Sequence, residues 1–240
     1  IAKKEASKQL LWLIEEGLGW LAYYKKDFDT AKKTFTKVLK DKPEAYLSQK
    51  GLGFIALQKG DFDTALKQLR ASLEKNPYQP ISSFTIPARK FLEKNKYVKI
   101  KELLTLGERT YPRSADIQFL LAKAYKGLGN EKKATEKGYI AAILAPAYIH
   151  PKFDELKLDS EKVKEAFNAM GWGLYFTRKN KEALERFNQY IESGGSDPNA
   201  KRGLSFALFR LKKYKKSIPG LIKAASLEPK TLKPITEMIL

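Results

Sequence analysis

One histidine, His150, and no cysteine are all that the sequence offers for imidazole or thiol chemistry. A nucleophilic triad needs an imidazole held between a nucleophile and an orienting carboxylate, and structural zinc needs four sulfur or imidazole ligands. Neither set can be assembled from one imidazole that falls in a proline-bearing connecting segment. The 27 Asp and Glu residues could supply a carboxylate pair for acid–base work, but no motif places two of them at a defined spacing. Charged helix faces carry such residues routinely. The run Ser193-Gly194-Gly195-Ser196-Asp197-Pro198 is glycine-rich, yet no strand precedes it, so it lacks the setting of a phosphate cradle. The expectation is a protein that is not an enzyme, with no catalytic residue, no cofactor and no metal site.

What remains is binding chemistry. Lys and Arg number 46 against 27 acidic residues, a formal charge of +19 spread along the whole chain without a basic arm or an acidic tail. Such a surface steers acidic partners, and a lysine-rich proteome produces the same excess with no function attached. Aromatic residues make up 12% of the chain and hydrophobic residues 43%, enough to build a core without cross-links. The apolar stretch at 141–149 is short and contains Pro146, and the N-terminal one is interrupted by Glu15 and Glu16, so neither is expected to span a bilayer. The chain opens on Ile1 rather than Met, as expected of a processed product or an excised fragment. Cytoplasm and bacterial periplasm both stay open as compartments.

The elements that carry these side chains repeat. DFDTAKKTFTKVLKDKP from Asp27 aligns with DFDTALKQLRASLEKNP from Asp61, 34 residues later, and each follows a helix-period segment containing Leu18-Gly19 or Leu52-Gly53. An aromatic precedes a proline by 15 residues at Phe28 and Pro43, Phe62 and Pro77, Tyr97 and Pro112, and Tyr214 and Pro229. Each unit therefore reads as two helices joined by a tight turn, closed by a proline that cannot continue the second helix. Small residues belong where two helices approach closely. Two irregularities interrupt the series: Pro87 falls inside the first helix of the third unit, which must start late or kink, and AYIHPKFDELKLDSEK inserts about half a unit as an irregular linker or an extra short helix.

The pattern resembles the tetratricopeptide repeat (TPR) family over about residues 12–231, carried by Leu18, Gly19, Phe28, Ala31, Phe35 and Pro43 in the first unit and by Leu52, Gly53, Gly60, Phe62, Ala65 and Pro77 in the second. Later units keep parts of it, among them Leu121, Ala122, Tyr125, Gly129, Ala134 and Pro146, and then Phe167, Gly171, Ala183 and Phe187. The resemblance implies an all-α fold, a right-handed α-solenoid of antiparallel helix pairs. One solenoid over 1–240 is expected, with units 12–45, 46–79, 80–114, 115–148, 164–197 and 198–231, an insertion at 149–163 and a capping C-terminal helix at 232–240. The irregular centre suggests two short arms rather than a uniform rod.

In that family the first helix of each unit lines a concave groove. Carrying its groove places over gives Trp20, Tyr23, Tyr24, Lys50, Phe54, Arg89, Lys123, Lys126, Trp172, Tyr175, Phe176, Arg202, Phe206 and Phe209 as the expected partner-binding residues. Aromatic ends flank a basic middle, a lining suited to an apolar or helical segment with acidic stretches. Tight packing of the rings against one another is the competing reading. A clamp for a chaperone's C-terminal carboxylate is not expected, because Phe54 and Trp20 stand where its asparagines should and Glu16 where a lysine should. The function implied is a protein-interaction scaffold in a bacterial multiprotein assembly. The alternatives are a nucleic-acid-binding helical repeat, disfavoured because no polar reading set recurs at matched places, and a glycan-binding protein using Trp20, Tyr23, Trp172 and Tyr175 as stacking platforms. Oligomeric state is left open.

Overall fold

A computed structural model describes residues 2–227; the expected capping helix at 232–240 lies outside them. The fold is an all-α solenoid of stacked helix pairs, with no strand among the described residues. It falls into two compact units, Ile1–Pro112 and Arg113–Leu240. The first holds α1 (Ala2–Tyr24), α2 (Phe28–Asp41), α3 (Tyr46–Gln58), α4 (Phe62–Lys75), α5 (Ser82–Glu93) and α6 (Tyr97–Thr110). The second holds α7 (Ala115–Gly127), α8 (Glu131–Leu144), α9 (Pro146–Phe153), a 3₁₀ turn (Asp154–Leu156), α10 (Lys164–Phe176), α11 (Asn180–Glu192), α12 (Pro198–Arg210) and α13 (Tyr214–Leu227). None of these helices is long and apolar enough to cross a membrane.

Each helix pair is joined by the same turn. Lys26, Gly60, Asn95, Gly129, Arg178 and Lys212 all hold a left-handed backbone, with φ between 53° and 77°. In every case the next residue's N–H reaches back five residues, as from Asp27 to the Ala22 carbonyl at 3.0 Å and from Lys179 to Leu174 at 2.9 Å. This 6→1 bond satisfies a carbonyl that the helix end leaves open. The same residue then starts the second helix, and Asp27, Asp61 and Asn130 use their side chains to accept the N–H groups of Thr30, Thr64 and Lys133. One short segment thus ends one helix and begins the next.

The closing prolines act one residue early. Lys42, Asn76, Tyr111 and Ala145, which precede Pro43, Pro77, Pro112 and Pro146, are the C-caps, with φ near −140° and ψ from 63° to 97°. A following proline disfavours the helical region for its neighbour, so the helix stops there. Pro87 is the sixth residue of α5, so the intrahelical bond it removes is the one to the Ser83 carbonyl. The helix begins at Ser82 and continues past it to Glu93.

Counted from the left-handed residue, the fifth position of every second helix is buried and mostly small: Ala31, Ala65, Ile100, Ala134, Ala183 and Ser217. The ninth position is the anchor: Phe35, Leu69, Leu104, Phe187 and Leu221 are all buried. Burying each such side chain contributes roughly 1.5–3 kcal/mol. In α8 that place is Gly138, and the inserted segment fills it. A Cβ there would lie 2.9 Å from Leu158 Cδ1 and 3.1 Å from Leu156 Cδ1. The insertion is therefore a packed part of the second unit, with Ile149, Phe153 and Leu156 buried in its core.

Arg186 fastens the insertion from α11. Its side chain is 1% exposed, and Nη1 and Nη2 grip both carboxylate oxygens of Asp154 at 2.7 and 2.8 Å. Nη2 also donates to the His150 carbonyl at 2.9 Å, Nη1 to Gln189 Oε1 at 2.7 Å and Nε to His150 Nδ1 at 2.7 Å. The guanidinium lies over the Phe167 ring. His150, expected in a linker or short helix, sits in α9 as part of this anchor.

Candidate partner-binding sites

In the first unit, Phe35 determines where the aromatic residues go. Its ring lies between α1 and α3, pressed on one side by Gly19, where a Cβ would stand 2.6 Å from Cε1, and on the other by Gly51. With the two backbones that close to one ring, Trp20 of α1 packs edge-on over it at 5.3 Å. Tyr23 and Phe54 then close around Trp20, with centroids 5.6 and 6.3 Å away. Tyr24 lies outermost, tilted 34° to the Trp20 ring at 6.0 Å and 75% exposed. Lys50 brings its ammonium to 5.8 Å from the indole, a cation–π distance. Burial lowers the pKa of Lys50, and the buried Glu16 carboxylate opposes that shift. Glu16 itself is held by the Ser48 N–H and hydroxyl, both at 2.8 Å.

The second unit contains the same arrangement. Phe187 lies between Gly171 of α10 and Gly203 of α12. Trp172 meets it edge-on at 5.4 Å, with Tyr175 at 5.8 Å and Phe206 at 6.5 Å. Phe176 stacks on Trp172 at 5.7 Å and is 72% exposed. The Arg202 guanidinium lies 6.0 Å from the indole.

Not every expected groove residue is open to a partner. Tyr175 is buried, its ring under the Arg210 guanidinium at 3.9 Å, and Arg210 Nη1 donates to its carbonyl. Burial pushes its phenol up, against the pull of Arg210. Phe209 packs edge-on against Tyr214 at 5.1 Å. Lys123 is paired with Glu155, and Lys126 with Glu131 and the Lys157 carbonyl. The insertion thus already occupies part of the expected basic middle. Arg89 is exposed on α5.

The six left-handed turn residues recur at 34, 35, 34, 49 and 34 residues, a single period with one insertion of 15 between the fourth and fifth turns. Residues 17–80 match a family model described as tetratricopeptide repeat. Residues 17–80 belong to the tetratricopeptide-repeat family. The chain matches none of the curated proteins. Among solved structures, it is similar to PilF of Pseudomonas aeruginosa at 13% identity, over 93% of this chain and 94% of that one, with a TM-score of 0.44. It is also similar to a MamA protein at 20% identity, over 76% and 91%, with a TM-score of 0.48, and to a second MamA structure at 19%, over 73% and 94%, with 0.47. Tetratricopeptide repeats are generally non-catalytic scaffolds for protein–protein interaction, and protein partners are what this fold indicates for the chain.

The sequence pattern gave Phe35 and Phe187 as repeat positions but not Gly51 and Gly203, which press on their rings, and it did not give Arg186. The signal was available: laying 19–54 over 171–206 without a gap pairs Gly19, Trp20, Tyr23, Phe35, Gly51 and Phe54 with identical residues. The insertion hid this correspondence because it breaks the 34-residue count.

Proposed function

We propose that this chain holds a peptide or helical segment of a partner protein against the aromatic and basic face of its first helices, within a bacterial multiprotein assembly, and that it performs no catalysis. The supporting observation is the exposed ring on each tryptophan. Trp20 and Trp172 are tied to the core through Phe35 and Phe187, but Tyr24 and Phe176 extend that packing into solvent, where they bury little of their own surface. Exposed aromatic area beside a cation is what a partner's apolar side chain and carboxylate cover together. Arg89 and the lysines add long-range attraction for an acidic segment.

The test is partner capture from an extract of the source organism, with the bound protein identified by mass spectrometry. Because Trp20, Phe54, Trp172 and Phe206 also touch the core, the discriminating variant is Tyr24→Ser with Phe176→Ser. It should lose the captured partner while circular dichroism and melting temperature stay unchanged. Undiminished capture by that variant would place the interface elsewhere.

A further inference from the structure

The two ring clusters correspond position by position. Trp20, Tyr23, Tyr24, Phe35, Lys50, Gly51 and Phe54 become Trp172, Tyr175, Phe176, Phe187, Arg202, Gly203 and Phe206 with one constant offset of 152 residues. The geometry follows the sequence. Tryptophan to anchoring phenylalanine is 5.3 and 5.4 Å, tryptophan to outer ring 6.0 and 5.7 Å, tryptophan to the neighbouring helix's phenylalanine 6.3 and 6.5 Å, and cation to indole 5.8 and 6.0 Å. Each compact unit contains one copy.

Packing alone accounts for half of this. A phenylalanine between two glycines and a tryptophan over it close a helix interface. The outer ring is not required for that closure, and the cation beside it, half-buried in both clusters, keeps its charge next to the indole. The places equivalent to Tyr24 and Phe176 in the other helix pairs are Gln58, Glu93, Gly127 and Arg210, none of them aromatic. The exposed outer ring therefore appears only where the tryptophan does, and both times with a half-buried cation beside it.

We infer that the chain carries two equivalent peptide sites, each taking one large apolar side chain against the tryptophan and its outer ring and one neighbouring carboxylate against Lys50 or Arg202. The ligand is an acidic peptide segment, and a chain binds two of them. A partner that displays such a motif twice, or two copies of one partner, is then held by two contacts, and the second contact raises overall avidity without any new interaction type. This inference rests on the peptide-capture function proposed above.

The probe is a short synthetic peptide with one phenylalanine flanked by aspartates, titrated calorimetrically into the intact chain. Two peptides are expected to bind with similar affinity. Lys50→Glu should leave one site, Arg202→Glu should leave the other, and the double variant none, with affinity at each altered site reduced roughly thirtyfold or more by like charge and lost pairing. Tyr24→Ser and Phe176→Ser, at exposed positions that cannot unfold a helix pair, should each remove one site as well. A single equivalent, eliminated by variants of one cluster and untouched by the other, would overturn the duplication and leave the capture function standing. Two equivalents that survive the double variant would overturn both placements. No saturable binding by the wild-type chain would overturn the inferred ligand and leave the capture function standing.

Discussion

Arg186 donates from Nε to Nδ1 of His150 across 2.7 Å, which requires the imidazole to be neutral with its proton on Nε2. Burial lowers the pKa of His150 below its ordinary value of 6.5, and the adjacent guanidinium lowers it further. Glu185, Asp154 and Glu182 pull the other way and do not reverse the shift.

A pH dependence of stability follows. The histidine binds a proton less readily in the fold than in the unfolded chain, so its contribution is complete above pH 6.5 and is lost as pH falls through the lower folded value. Protonation at Nδ1 would set two donors against each other. Thermal melting followed by circular dichroism should show a midpoint that is level near neutrality and declines below pH 6.5, and His150→Gln should flatten that decline. Parallel decline in both proteins would remove His150 as the cause.

Arg186→Met is expected to destabilise the second unit by about 2–4 kcal/mol in urea titration. The loss comes from half-buried acceptors left without a donor, namely the His150 carbonyl, Nδ1 and Gln189 Oε1, and from the packing of the buried Arg186 stem. Asp154 contributes little to it, because its side chain is 63% exposed and water can replace the guanidinium. Arg186→Lys should recover only part of the stability, since an ammonium cannot reproduce the two-pronged grip.

The same substitution at three glycines should have opposite signs. Gly51→Ala and Gly203→Ala put a methyl group into the rings of Phe35 and Phe187 and should each cost about 1–3 kcal/mol through overpacking. Gly17→Ala, exposed in the interior of α1 with nothing within 4 Å of the new methyl, should stabilise by up to about 1 kcal/mol. Equilibrium unfolding of the three variants reads the difference directly.

The turn residues permit a matching experiment. Arg178 and Lys212 hold φ of 62° and 59° without being glycine. Replacing either by glycine should relieve the Cβ strain and raise stability by about 0.5–1 kcal/mol, after the extra entropy glycine loses on folding. Gly60→Ala, at φ 77°, should lower stability by a similar amount.

The sequence determined the repeat. The 34-residue spacing, the prolines that follow Lys42, Asn76, Tyr111 and Ala145, and the acidic N-caps Asp27 and Asp61 are local signals, because each acts on its own or adjacent backbone. They needed no knowledge of what lies across the fold. The left-handed turn was legible at Gly60 and Gly129, fits the tolerance of asparagine at Asn95, and was hidden at Lys26, Arg178 and Lys212, where the helix-ending bond geometry imposes the conformation on residues that do not favour it.

Only the tertiary structure decided which side chains meet. His150 and Arg186 are 36 residues apart, and nothing in either neighbourhood announces the other. Gly138 reads as a weak point in α8 until Leu156 and Leu158 are seen to fill it. Tyr23 and Tyr175 occupy matching places in sequence, yet Tyr175 is buried beneath Arg210 while Gln58 at the corresponding place donates to the Tyr23 hydroxyl. Periodicity fixes the face of a helix on which a residue lies. Its exposure and partners depend on packing between segments far apart in the chain, and short-range pattern carries no record of that.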